Sequence, residues 1–189
     1  MSSYDVVIVG AGNAALTAAL AARENGATVL ILEKAPEHEK GGNSYFTAGG
    51  FRFCYDNIED VATDVLTDLS EAERQQIVLP NHDRNVFYNT LMKVTRHQAN
   101  EDMAWRLIDN SRPTMVWLRQ HGIRFIPMFG RQSFLVDGKH HFYADDETYT
   151  DDHMERDNCL NRAGWIAVSY THLRAHETSL HLVCRLLLE

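Results

Sequence analysis

Gly10, Gly12 and Ala15 hold the first, third and sixth places of a turn that leaves an apolar run and enters an alanine-rich one, and Glu33 follows 23 residues after Gly10. Small residues at that spacing suit one kind of chemistry. Gly10 permits a tight turn, and Gly12, having no Cβ, lets backbone amides come within hydrogen-bonding distance of a phosphate. Asn13 and Ala14 open the following helix, whose N-terminus directs partial positive charge at the same anion. Ala15 takes the third small position, so that helix and sheet pack closely. A carboxylate where Glu33 stands accepts hydrogen bonds from ribose hydroxyls and repels a 2′-phosphate, which argues against NADP. Together these residues read as a dinucleotide site.

A βαβ unit must position them. Val6 to Val9 form a continuous apolar, β-branched run of the kind a parallel strand needs when both faces are covered. A helix is expected over roughly residues 13–25, with Gly26 as its stop, and Thr28 to Leu32 form the second strand. The polar loop Ala35 to Lys40 comes next. Two glycine pairs then follow, Gly41-Gly42 and Gly49-Gly50, eight residues apart and bracketing Asn43, Ser44 and Thr47. NAD-dependent Rossmann domains normally continue into another helix at this point. Here backbone amides and small polar groups are offered instead, a surface against which a flat ring system can lie.

Beyond this unit the pattern turns helical. Ile58, Val61, Val65 and Leu69 recur at three- and four-residue spacing, as do Phe87, Leu91 and Val94, so two amphipathic helices are expected. Asn100 caps a third, with Glu101 and Asp102 in its first turn and Met103, Leu107 and Ile108 as its apolar face. Ser111-Arg112-Pro113 is expected to restart the chain. Met115 to His121 then reads as a short helix closed by Gly122, and Ile123 to Ile126 as a strand broken by Pro127. Trp105 and Trp117 are read as packing residues.

Composition narrows the partners. The 189 residues are 44% hydrophobic and carry a net charge of −8, which argues against nucleic acid. Three cysteines occur without CxxC or metal-like spacing, as expected in a reducing cytoplasm. No apolar stretch approaches the roughly 20 residues of a membrane span, and no basic, apolar leader opens the sequence. His140-His141 is an adjacent pair with no acidic or cysteine partner at ligand spacing, so no metal is expected.

The GAGNAA turn, the stretch ILEKAPEHEKGGNSYFTAGGFRF and the later SRPTMVWLRQHGIRF and GRQSFLVDGK segments resemble the N-terminal part of the fumarate reductase/succinate dehydrogenase flavoprotein superfamily. Within it they are most similar to FAD-dependent tricarballylate dehydrogenases. The resemblance implies an α/β fold: a Rossmann-like FAD-binding βαβ domain with inserted helices, incomplete, over residues 1–122, and the start of a substrate-capping domain over 123–167. It implies FAD along Gly10, Gly12, Asn13, Ala14, Ala15, Glu33 and Lys34, with Gly42, Asn43, Ser44, Ala48, Gly49 and Gly50 near its pyrophosphate, ribityl chain and flavin ring. Covalently flavinylated members carry a His six residues before the second glycine pair. Asn43 stands there, so the FAD is expected to be non-covalent.

The activity implied is hydride transfer between flavin and a carboxylate substrate, of the tricarballylate to cis-aconitate type, with an electron-acceptor protein as a further partner. Carboxylates need cations, and in an acidic chain local guanidinium groups must hold them. Arg52, just after the second glycine pair, and Arg131 are the candidates, while the acid/base residue is expected farther along the family's sequence than this chain shows. Other readings remain open: another flavin dehydrogenase such as a fumarate reductase or a ketosteroid dehydrogenase, or a dinucleotide-binding module without catalysis.

Val168 to Thr178 is similar, residue for residue, to the conceptual translation of a transposase sequencing adapter. Residues 168–189 are therefore expected to be adapter-derived and are set apart from the fold. The acidic stretch Ala144 to Glu155 reads either as a polar loop or as frame-shifted sequence. A chain shortened in this way is expected to bind FAD poorly and to turn nothing over.

Overall fold

The computed structural model describes residues 3–45, 50–129, 133–142 and 165–168. The chain divides into two compact units, one built around Met1–Gly49 and the other on Gly50–Val168.

In the first unit, strand β1 (Val6–Val9) and strand β2 (Val29–Leu32) pair in parallel, Val6 opposite Val29 through Val9 opposite Leu32. Helix α1 (Asn13–Glu24) joins them and buries Leu16, Ala19 and Leu20. Alanine suits both demands on this helix, high propensity and a thin face that lets it lie close to the strands. It ends as its sequence dictates: the Gly26 N–H bonds to the Arg23 carbonyl and the Ala27 N–H to the Ala22 carbonyl, a Schellman closure. At the base of the strands the Asp5 carboxylate accepts from both the N–H and the hydroxyl of Thr28, at 2.8 and 2.7 Å. A 3-10 turn at Glu37–Glu39 and a one-turn helix α2 (Gly42–Tyr45) complete the unit.

Two expectations are corrected here. β1 is not covered on both faces among the described residues: Val6 and Ile8 are half-buried, whereas Val7 is exposed and Val9 is 83% exposed. The described element packed on this two-stranded pair is α1, and one helix covers one face. The glycine-rich stretch does form a helical turn, α2, although its four residues fall far short of a full crossover helix.

The second unit runs through β3 (Gly50–Arg52), α3 (Ile58–Asp64), α4 (Glu71–Gln75), β4 (Ile77–Val78), α5 (Arg84–Val94), α6 (Glu101–Gln120), β5 (Phe125–Pro127), β6 (Ser133–Val136), β7 (Lys139–Phe142) and β8 (Trp165–Val168). β8 lies between β3 and β5, antiparallel to both. A separate sheet has β7 at its centre, parallel to β4 and antiparallel to β6. Asp137 and Gly138 close the β6–β7 hairpin, both with positive φ, as a two-residue Asp-Gly turn requires. Phe53, Tyr55, Val61, Val65, Leu66, Met115, Ile123 and Phe125 form the core, so residues on either side of Gly122 pack into one cluster.

The elements of this unit differ from the sequence reading in four respects. α3 stops at Asp64 instead of continuing to Leu69: the Asp64 carbonyl accepts from Arg119 Nε at 2.9 Å, and Val65, Leu66 and Leu69 reach the core through a turn. Ser70 and Glu73 then form a capping box that starts α4. α6 runs unbroken through Pro113. The loss of one backbone hydrogen bond at the proline is offset by contacts on both sides of it: Ile108 and Met115 are buried, and Arg112 bonds Asp64 at 2.6 Å and Asp60 at 3.3 Å on α3. Finally, the buried face of α6 is Ala104, Ile108 and Met115, while Met103 and Leu107 are 72% and 56% exposed. The strand expected over Ile123 to Ile126 is shifted to Phe125–Pro127, with Pro127 as its last residue.

Candidate functional site

The residues of the glycine turn and the end of β2 are brought together in the first unit. Gly10 has φ +99°, a conformation that side-chain-bearing residues rarely adopt, and its N–H bonds to the Leu32 carbonyl at 2.6 Å. That bond seats the turn against the end of β2. The next amide, Ala11 N–H, donates to Glu33 Oε2 at 2.7 Å, and the other carboxylate oxygen, Oε1, accepts from Ala35 N–H at 2.8 Å. Hydrogen bonds from Ala35 and Ala11 favour the ionised carboxyl and hold it below its ordinary range against partial desolvation. Glu33 is thus an oriented anion, exposed to solvent and locked on two main-chain donors.

Ser44, on α2, takes the first helical amide: Asn13 N–H donates to Ser44 Oγ at 3.1 Å. Gly12 lies between, with φ −79° and ψ 175°. Those angles are open to any residue. A Cβ built on Gly12 would meet Ser44 Oγ at 3.4 Å and the Gly41 carbonyl at 3.5 Å, ordinary contact distances. Nothing internal to the chain therefore demands a glycine at position 12. A ligand pressed against the amides of Gly12 and Asn13 does demand one, and the turn fits a diphosphate on that ground.

Of the remaining expected contacts, Ala14 and Lys34 are exposed and Ala15 is half-buried beside the turn. Gly42 and Asn43 sit exposed in the first turn of α2. Ala48 and Gly49, with Thr47, lie outside the described residues, as does Arg131. Gly50 and Arg52 belong to β3, in the second unit.

Arg52 is firmly placed there. Its Nε donates to His82 Nε2 at 3.2 Å, and its guanidinium lies 4.8 Å from the centre of the Phe87 ring. His82 is fully buried. Burial first, and the Arg52 charge second, push its imidazole down to about 3, so it is neutral and accepts through Nε2. The sequence reading passed over His82, which stands in the polar run Asn81-His82-Asp83. A signal was available: Asp83 caps α5, which makes His82 the residue before the cap and Phe87 the fourth of the helix, a staple pair whose rings lie 5.1 Å apart. His140 and His141 are accounted for by packing, against Phe129 at 4.4 Å and Phe134 at 5.7 Å.

A family model described as an FAD binding domain matches residues 5–181 of the chain. The chain belongs to that family. FAD is the cofactor of the FAD binding domain family. The match takes in residues 168–181, part of the stretch that reads as adapter, and these lie outside the described residues except for Val168.

Curated proteins are similar to the chain over part of their length. NADH:fumarate oxidoreductase of Klebsiella pneumoniae is 28% identical over 138 residues, 73% of this chain and 13% of the relative. Vinyl phenol reductase of Lactiplantibacillus plantarum is 28% identical over 123 residues, 65% of this chain and 21% of the relative. Fumarate reductase (cytochrome) of Shewanella frigidimarina is 30% identical over 103 residues, 54% of this chain and 17% of the relative. The chain thus spans between 13% and 21% of the length of these three proteins. Among the described residues no helix is long and apolar enough to cross a membrane, and no group of three or more His, Cys, Asp or Glu could hold a metal.

Proposed function

We propose that this chain is the N-terminal part of an FAD-dependent oxidoreductase that moves hydride between flavin and a carboxylate substrate, of the tricarballylate to cis-aconitate type. The observation that carries the reading is the contact between Glu33 Oε2 and Ala11 N–H at 2.7 Å. It sets the carboxylate and the glycine turn in register before any ligand is considered. Bound FAD would supply the hydride acceptor. The chain supplies the rest of the recognition: the amides of Gly12 and Asn13 at the N-terminus of α1 for the diphosphate, and Glu33 for the adenosine ribose. Gly42, Asn43, Ser44, Ala48, Gly49 and Gly50 would line the remainder of a non-covalent FAD.

The carboxylate class is supported by the names of two relatives that act on fumarate. Reduction of fumarate is therefore the second reading. Arg52 would offer its guanidinium to a substrate carboxylate, with Arg131 as the other candidate, through paired N–H donors that match two carboxylate oxygens. A cytoplasmic site and an electron-acceptor protein complete the proposal, and residues 168–189 are read as translated adapter.

Absorbance of the purified chain near the flavin bands after desalting tests cofactor retention, and weak retention is expected for so short a span of the family. The gene carried past Val168, expressed and assayed with tricarballylate, fumarate and a neutral enone, tests the substrate. Turnover of the enone alone would reject the carboxylate reading.

A further inference from the structure

Two amides of the glycine turn already carry side-chain partners from the chain itself, and the two partners are unlike. Glu33 meets Ala11 N–H at 2.7 Å with a charged oxygen, and its second oxygen is tied to Ala35 at 2.8 Å. Charged acceptors make the stronger hydrogen bonds, and this one is held from both ends. Ser44 meets Asn13 N–H at 3.1 Å with a neutral hydroxyl. It belongs to a helix of four residues that Gly41, with φ 105°, precedes and Gly42, with φ 54°, opens.

Space points the same way. The direction in which Gly12 lacks a Cβ is bounded by Ser44 Oγ and the Gly41 carbonyl, at 3.4 and 3.5 Å from where that atom would stand. A diphosphate oxygen entering there meets two acceptor oxygens. The carbonyl is fixed in the main chain, whereas the serine oxygen stands on a side chain that can change rotamer.

We propose that Ser44 is an exchangeable occupant of the α1 N-terminus, releasing Asn13 N–H to a diphosphate oxygen as the dinucleotide seats, while Glu33 keeps Ala11 N–H throughout. The inference rests on the FAD reading given above. Its consequence is a division of labour within one turn: Glu33 is a permanent brace that fixes the shape of the amide cradle, and Ser44 is a placeholder that keeps the first helical donor satisfied until the anion arrives.

The test uses the 189-residue chain, nitrogen-labelled, as wild type, Ser44→Ala and Ser44→Thr. Without added FAD, Ser44→Ala is expected to speed hydrogen exchange at the Asn13 amide by about tenfold or more, leaving Ala11 unchanged, while Ser44→Thr, which keeps the oxygen, retains protection. Equal exchange in wild type and Ser44→Ala overturns the proposal. Stopped-flow quenching of flavin fluorescence gives the second arm. Association of FAD with Ser44→Ala is expected to be about threefold faster or more, because a larger fraction of chains presents a free donor. A slower association and weaker complex would instead mean that Ser44 stays on Asn13 N–H and relays its proton to the phosphate, which overturns the exchange. Failure of every variant to quench FAD even at cofactor concentrations high enough to fill a weak site rejects the functional reading, and the amide arm then decides the role of Ser44 by itself.

Discussion

The carboxylate of Glu33 reaches from the end of β2 to the Ala11 N–H in the middle of the glycine turn, at 2.7 Å. One side chain thereby links the two segments that a dinucleotide must touch together. Hydrogen bonds from Ala35 and Ala11 lower the folded-state pKa beneath the unfolded one. A contribution of this sign is present above the unfolded value and is lost as pH falls through the folded value. The Ala11 amide proton should therefore shift in an acid titration with a midpoint below 4.5. A midpoint at or above that value would break the link between Glu33 and the turn. Glu33→Gln places an amide donor against one of the two N–H groups of Ala11 and Ala35 and should loosen FAD even though the side chain keeps its size.

Gly12 separates folding from binding. Its angles are ordinary and a Cβ there meets only ordinary contacts, so Gly12→Ala should cost about 1 kcal/mol or less, the preference of a helix N-cap for glycine over alanine. FAD affinity, read at equilibrium by quenching of flavin fluorescence, should nevertheless fall by about tenfold or more, since the methyl group enters the space of the diphosphate. Loss of both stability and binding together would mean that the chain itself needs the glycine.

His82 sets an acid limit for the second unit. Burial holds the imidazole neutral down to about 3, whereas in the unfolded chain it protonates near 6.5. Between those values the unfolded chain binds the extra proton, so stability falls as pH drops, by on the order of 1 kcal/mol per pH unit. Urea midpoints at pH 7 and pH 4 should differ less in His82→Asn, which cannot titrate but retains an acceptor for Arg52. An imidazole signal titrating at its ordinary value in the folded protein would contradict the burial of this ring.

Pro113 interrupts the hydrogen-bond ladder of α6 without ending the helix. Pro113→Ala restores a donor to the Asp109 carbonyl and removes a ring clash, so a gain of about 1–3 kcal/mol in urea unfolding is expected. A loss of stability would place a real helix boundary at Ser111–Pro113, as the sequence reading has it.

Local chemistry determined the first unit from its sequence. The glycines of the turn, the Ala-rich helix, the Gly26 stop and the acid at position 33 each act over a few residues, and the βαβ unit follows with its strand and helix limits nearly as expected. Caps at Asn100 and Gly122 were legible for the same reason. What tertiary structure decided lies where distant residues compete with local preference. Arg119 draws off the Asp64 carbonyl and shortens α3, and contacts either side of Pro113 carry α6 through a residue that locally favours a break. Packing likewise chose Ala104 and Ile108 over Met103 and Leu107 as the inner face, because the apolar residues of α6 extend over more of its circumference than its neighbours cover. It also buried His82 beneath Arg52, and it placed Ser44 on Asn13 across 31 residues of chain. Spacing along a sequence reports which groups can act together. Only the fold determines which oxygen occupies which amide.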